Sequence, residues 1–207
     1  GILVTSNMGA DPVLITGGQL TAGSELIIHQ HNTLAPLVIA SSIQNSSVAV
    51  GLTKSGMGTL VISNSASTFT GPITVNNGRL TVYSPQDLGS SNPGIRLING
   101  SVLEMVGTYS VANAISVDSV GGCLDVPEGS SITLTAGNSP YMGNDRCVFR
   151  KTGGGLLTLN NYARDIAEFS VEGGTLVSDN IYKFGWAGSM ITLTNNATIK
   201  KNAVLSH

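Results

Sequence analysis

The chain is poor in charge. Only 11% of its 207 residues are Asp, Glu, Lys or Arg, against about 25% in an ordinary globular domain. With 41% hydrophobic residues beside so little charge, it does not have the composition of a disordered chain, which combines low hydrophobicity with high charge. Basic residues are scarce: 10 Lys+Arg lie scattered along a chain of net charge -2. That argues against a nucleic-acid partner, which leaves a basic stripe. No apolar run approaches the roughly 18–20 residues that a spanning helix needs. No basic start leads into an apolar stretch, so no signal peptide is expected within these residues. If the protein is exported, its targeting segment lies elsewhere. The two cysteines, Cys123 and Cys147, form no C-x-x-C and no zinc-type spacing with His. Histidine numbers three, too few to argue a Ser–His–Asp arrangement. His29 and His31 in "IIHQH" share one strand face, but zinc wants a third ligand and none is near in sequence. Neither a cofactor nor a metal site is expected.

What is abundant is Gly, at 26 residues against 7 Pro, together with Ser, Thr, Asn and β-branched aliphatics. That mixture reads as an all-β chain with many turns. One turn grammar recurs: an aliphatic strand, a Gly or Asn turn, then an aliphatic residue opening the next strand. It appears in "LITGGQL", "ITVNNGRL", "RLINGSVL", "VGGCL", "FSVEGGTL" and "ITLTNNATI". Ile73, Ile95 and Ile115 return every 20–22 residues, and Leu80, Leu103 and Leu124 every 21–23. Each strand alternates apolar and polar residues, as in Leu80-Thr81-Val82, so one face is buried. The same side chain returns after a whole coil rather than after a hairpin. The pattern predicts a parallel β-helix of roughly eight to ten coils of 20–25 residues, with these residues stacked as interior ladders.

A longer period overlies the short one. "LTKSGMGTLVI" (52–62) returns as "RKTGGGLLTL" (150–159), and Lys54 to Lys151 is 97 residues. Ile73 to Phe169, Leu80 to Leu176, Ile95 to Ile191 and Leu103 to Ile199 are each 96. The expectation is one continuous segment, 1–207, with a duplicated block of four or five coils, about 52–150 and 151–207. The second copy is truncated. Neither end carries an obvious polar cap, which predicts a slice of a longer solenoid.

Residues 52–82 closely resemble the autotransporter-associated β-strand repeat family, whose pattern is roughly L-x-K-x-G-x-G-x-L-x-L, a polar stretch, an aromatic-T-G, a strand, N-x-G and a final strand. The matching positions are Leu52, Lys54, Gly56, Gly58, Leu60 and Ile62, then Phe69-Thr70-Gly71, Ile73-Thr74-Val75, Gly78 and Leu80. The second copy matches at Lys151, Gly153, Gly155, Leu157 and Leu159, then at Phe169-Ser170-Val171, Gly174 and Leu176, but lacks the T-G within "NNYARDIAE". The resemblance implies a right-handed parallel β-helix in the secreted passenger of a Gram-negative type V secretion protein. It implies a parent chain that continues to an outer-membrane barrel, and export to the cell surface.

Gly56, Gly58, Gly153 and Gly155 are expected to mark corners, where positive φ or close backbone approach requires Gly. A phosphate loop would place Lys after the glycines and open a helix; here Lys precedes them and a strand follows. Lys54 and Lys151 are expected outside, at a turn. Asn76, Asn77, Asn99, Asn195 and Asn196 fit turns, with Asn ladders between coils. Cys123 and Cys147 lie 24 residues apart, close to one coil. A disulfide, allowed in an exported protein, and two free thiols stay equally open. Asp118, Asp125, Glu128 and Asp145 are the one acidic group to inspect for glycoside chemistry; outward solvated acids are the expectation, with Glu104 stacked on Asp125. The functional expectation is a non-catalytic surface stalk, adhesin-like, whose partner would be a host receptor, a glycan or another copy. The alternatives are an oligomerising toxin passenger and a polysaccharide-acting β-helix.

Overall fold

The computed structural model describes residues 1–135, 141–142, 147–160, 168–178 and 190–201. Alternation decides the local structure. In Ile73–Asn76 and Leu156–Leu159 every second side chain is buried, so each short strand has a dry face and a wet one. No strand has a long enough apolar face to stand alone. Within each sheet, every strand but the outermost is stabilised by parallel partners one coil below and one coil above.

The strands stack into three long parallel faces and one short sheet, a parallel β-helix. A seven-stranded sheet includes Ile2–Val4, Gly51–Ser55, Ile73–Asn76 and Ile95–Ile98. A nine-stranded sheet runs from Val13–Ile15 through Thr59–Ile62, Arg79–Val82 and Gly122–Asp125 to Met190–Thr194. A five-stranded sheet begins at Thr108–Val111 and ends at Thr198–Lys201. In the first coils this third side is a two-stranded sheet, Gln19–Leu20 with Ser42–Ile43. Between those two sheets the third side is carried without strands: Phe69 is fully buried, its N–H is bonded to Ile43 and its carbonyl to Ser90. Among the described residues helix is limited to two single 3₁₀ turns, Ser6–Met8 and Pro85–Leu88.

The expected ladders are present. Ile73, Ile95 and Ile115 are direct partners in register, as are Leu60, Leu80, Leu103 and Leu124. All are essentially without solvent exposure, and one continuous aliphatic column fills the coil. Burying a Leu or Ile side chain contributes about 1.5–3 kcal/mol, repeated at every rung. The turn asparagines behave as expected too. Asn77, Asn99, Asn195 and Asn196 have positive φ, and Asn99 donates to the Asn76 side chain of the coil below at 2.6 Å.

The long repeat differs from the expectation in one respect. Lys54 lies on a strand of the seven-stranded sheet and its corner leads to the nine-stranded sheet. Lys151 lies on a strand of the nine-stranded sheet and its corner leads to the five-stranded one. The same one-face advance holds for Ile73–Asn76 against Glu168–Glu172 and for Val102–Met105 against Thr198–Lys201. The repeat therefore does not span a whole number of coils. It begins again one face further round.

Candidate functional site

The lysine and glycines of the two motif copies form a buried polar arrangement at two corners of the coil. Lys54 follows Leu52 by two positions on one strand, so both side chains point the same way. Leu52 points into the core, and Lys54 goes with it, with 0% exposure. Lys151 follows buried Phe149 in the same manner and is also 0% exposed. The expectation that these lysines lie outside is corrected here: strand parity prevails over the usual preference of charge for solvent.

Burial is tolerable because backbone oxygens replace the water. The Lys54 ammonium donates to the Gly56 carbonyl of its own corner and to the Asn77 carbonyl of the next coil at 2.8 Å. The Lys151 ammonium donates to Gly153 and Gly155 of its own corner, at 2.5 and 2.9 Å, and to Gly173 of the next coil at 2.9 Å. Burial pushes both lysines down from 10.5 to about 8. Beside Lys151, Asp125 and then Cys123 act in the opposite sense. Both groups remain predominantly protonated at neutral pH.

The glycines make room for this arrangement. Gly56 and Gly153 have φ of +85° and +76°, which L side chains rarely adopt. The second glycine of each corner lies against the coil below. A Cβ on Gly58 would overlap the Asn32 carbonyl, and one on Gly155 the Pro127 carbonyl. Their N–H groups donate to that lower coil, to Gln30 and Val126 respectively, both at 2.9 Å. A third glycine belongs to the same unit. A Cβ on Gly78 would fall on the Lys54 ammonium, and one on Gly174 would lie 2.6 Å from the Lys151 ammonium. Each corner thus joins three successive coils, holding the coil above through the lysine ammonium and the coil below through the second glycine's N–H. It is the reverse of a phosphate loop, because carbonyl oxygens converge on the protein's own ammonium and leave no N–H groups gathered for an anion.

Elsewhere the expected site residues are dispersed. Glu104 and Asp125 stack outward in register, and both meet Arg79, at 3.2 and 2.6 Å. Arg150 makes a two-pronged pair with Glu172, at 2.7 and 2.6 Å, which holds the Glu172 carboxyl below its usual range. Asp118 accepts the N–H groups of Val120 and Gly121 in a turn. Glu128 is exposed, and Asp145 lies outside the described residues. No group of three His, Cys, Asp or Glu that could hold a metal occurs among the described residues. His29 and His31 are stacked on the outside with ring centroids 6.2 Å apart, and His29 meets the Ser55 hydroxyl at 2.6 Å.

Cys123 and Cys147 are buried free thiols. The 24-residue spacing misleads because the coil is longer at this point: Cys123 stands opposite Arg150, three positions beyond Cys147. Cys123 instead contacts the Thr152 hydroxyl at 3.3 Å. Burial raises both thiols, Cys147 to about 12.

Comparison with known proteins assigns the first corner. The family described as Passenger-associated-transport-repeat matches residues 52–82, a span that holds Lys54, Gly56, Gly58 and Gly78. The match is confined to these residues, about one seventh of the chain. It is also similar to the adhesin BmaC autotransporter of Brucella suis biovar 1 (strain 1330), 28% identical over 214 residues. That alignment covers 95% of this chain and 6% of the relative, so the chain spans a small fraction of the length of the protein it matches. No solved structure matches it. The repeat match and this similarity support a passenger secreted to the bacterial cell surface. In structural terms the matched span is four strands, with the lysine-filled corner between the first two and, between the last two, the glycine turn that closes over the ammonium.

Proposed function

We propose that this chain is a non-catalytic β-helical stalk segment of an adhesin-like passenger, and that its repeats support folding during export. The observation that carries this reading is the corner itself. Its buried lysines are held by backbone carbonyls that join coil to coil, with no exposure to solvent. The outward acids nearest a catalytic spacing are held by Arg79. The similarity to a BmaC segment supports the adhesin-like part. A solenoid built from nearest-neighbour contacts can also add coils one at a time as it emerges from a membrane.

Segment exchange tests this proposal. In bacteria displaying the parent passenger, these residues are replaced by an unrelated β-helix with the same number of rungs. Retained surface display and host-cell attachment are expected of a stalk. Lost attachment with display intact would mean that the segment itself holds the main receptor contact. Release of reducing ends from a polysaccharide panel by the purified chain would favour an enzyme.

A further inference from the structure

One cleft on the outer side of the nine-stranded sheet combines aliphatic, aromatic, hydroxyl and carboxylate side chains. The outer column of that sheet reads Leu14, Val38, Val61, Thr81, Glu104 on successive coils. It changes from aliphatic to hydroxyl to carboxylate along a single line. Where the change occurs, the surface is hollowed by a cleft of about 270 Å³. Leu34, Thr59, Val61, Thr81, Tyr83 and Glu104 are among the residues that line it. Leu34 is 70% and Tyr83 51% exposed, both unusually open for their type.

We infer that this cleft binds a neutral saccharide, through the Tyr83 ring and the hydroxyls of Thr33 and Thr59. A sugar ring has an apolar C–H face and a rim of hydroxyls, so it needs an aromatic or aliphatic platform beside polar groups. Tyr83, Val61 and Leu34 supply the platform. The hydroxyls of Thr33, Thr59 and Tyr83 make no hydrogen bond among the described residues and are free for a ligand. Glu104 is already oriented as an acceptor, with Thr81 donating to one oxygen at 2.6 Å and Arg79 paired with the other at 3.2 Å. No lysine or arginine lines the cleft, which disfavours an anionic sugar. An extended peptide is disfavoured as well. The three strands beneath, Leu37–Ile39, Thr59–Ile62 and Arg79–Val82, are each paired on both sides, so no backbone edge remains for strand addition.

The test is saturation-transfer NMR on the 207-residue chain with methyl glycosides of glucose, galactose, mannose and N-acetylglucosamine, and sialyllactose as the anionic probe. Expected is weak binding of at least one neutral glycoside, of about millimolar Kd, with saturation strongest on one C–H face. Tyr83→Ala should weaken it by about tenfold, and Thr59→Val and Tyr83→Phe by a few fold each. Thermal melts confirm that the variants stay folded; if Tyr83→Ala does not, Tyr83→Phe and Thr59→Val decide. Absence of binding by every neutral glycoside, preference for sialyllactose, or binding unchanged in the folded variants would overturn the inference. The stalk proposal is judged separately by segment exchange, so either can fail alone.

Discussion

Replacing Lys54 by Met tests the buried corner quantitatively. Met retains much of the aliphatic stem but cannot donate. The Gly56 and Asn77 carbonyls, which receive the ammonium, would then be buried without it, at about 1–3 kcal/mol each. Against this, the variant no longer buries a cation. A lysine displaced from 10.5 to about 8 carries an ionisation cost of about 3 kcal/mol at neutral pH. The net loss at pH 7 is therefore small, about 1–2 kcal/mol. The pH dependence is more decisive. Below about 8 Lys54 is protonated in both folded and unfolded chains. Between about 8 and 10.5 the unfolded chain holds a proton that the folded chain has released, so wild-type stability gains with rising pH. The Met variant lacks that gain. Urea unfolding of both proteins at pH 7, 8, 9 and 9.5 should show the gap widening by up to roughly 1.4 kcal/mol per pH unit above 8. The buried thiols and Tyr109, all raised by burial, act in the opposite direction at high pH, but they are common to both proteins and largely cancel in the difference. A gap that stays flat or narrows would refute a buried Lys54 ammonium.

Other expectations follow from the same geometry. Gly78→Ala should destabilise wild type by about 2 kcal/mol or more, through its φ of +64° and the collision with the Lys54 ammonium; in a Lys54→Met background the loss should be smaller, a non-additivity read from a double-mutant cycle. Gly58→Ala should cost more than about 2 kcal/mol in denaturant titration, because its Cβ meets backbone of the coil below. Arg79→Met should cost only about 1 kcal/mol or less, since its pairs with Glu104 and Asp125 are partly exposed, and the loss should shrink in high salt. Ellman's reagent should titrate no thiol rapidly in the native chain and both after unfolding, as buried Cys123 and Cys147 require.

Much of this architecture is legible in the sequence, for identifiable reasons. The Ile73 and Leu80 ladders are visible because side chains separated by one coil must be alike to share a dry column. The corner glycines are visible because their neighbours on both sides are strands. The lysines are misread because charge is ordinarily solvated, yet the decisive signal is present: Lys54 has the parity of Leu52, and Lys151 that of Phe149. A polar residue in step with inward aliphatics, followed by glycines, requires carbonyl acceptors rather than water. The one-face advance of the repeat is hidden because a 97-residue period looks like whole coils when coil length varies, as it does between Cys123 and Arg150. The cleft beside Tyr83 is hidden because it joins residues from four coils, and no local pattern marks such a meeting.

The most direct test of the corner is nitrogen-15 NMR of the lysine side chains in the chain and in its Lys54→Met and Lys151→Met variants. Two ammonium signals should exchange slowly with water, titrate near 8 and vanish one in each variant. If every lysine exchanges rapidly and titrates near 10.5, the corners are not filled by their own lysines, and the stacking assigned to the repeat is wrong.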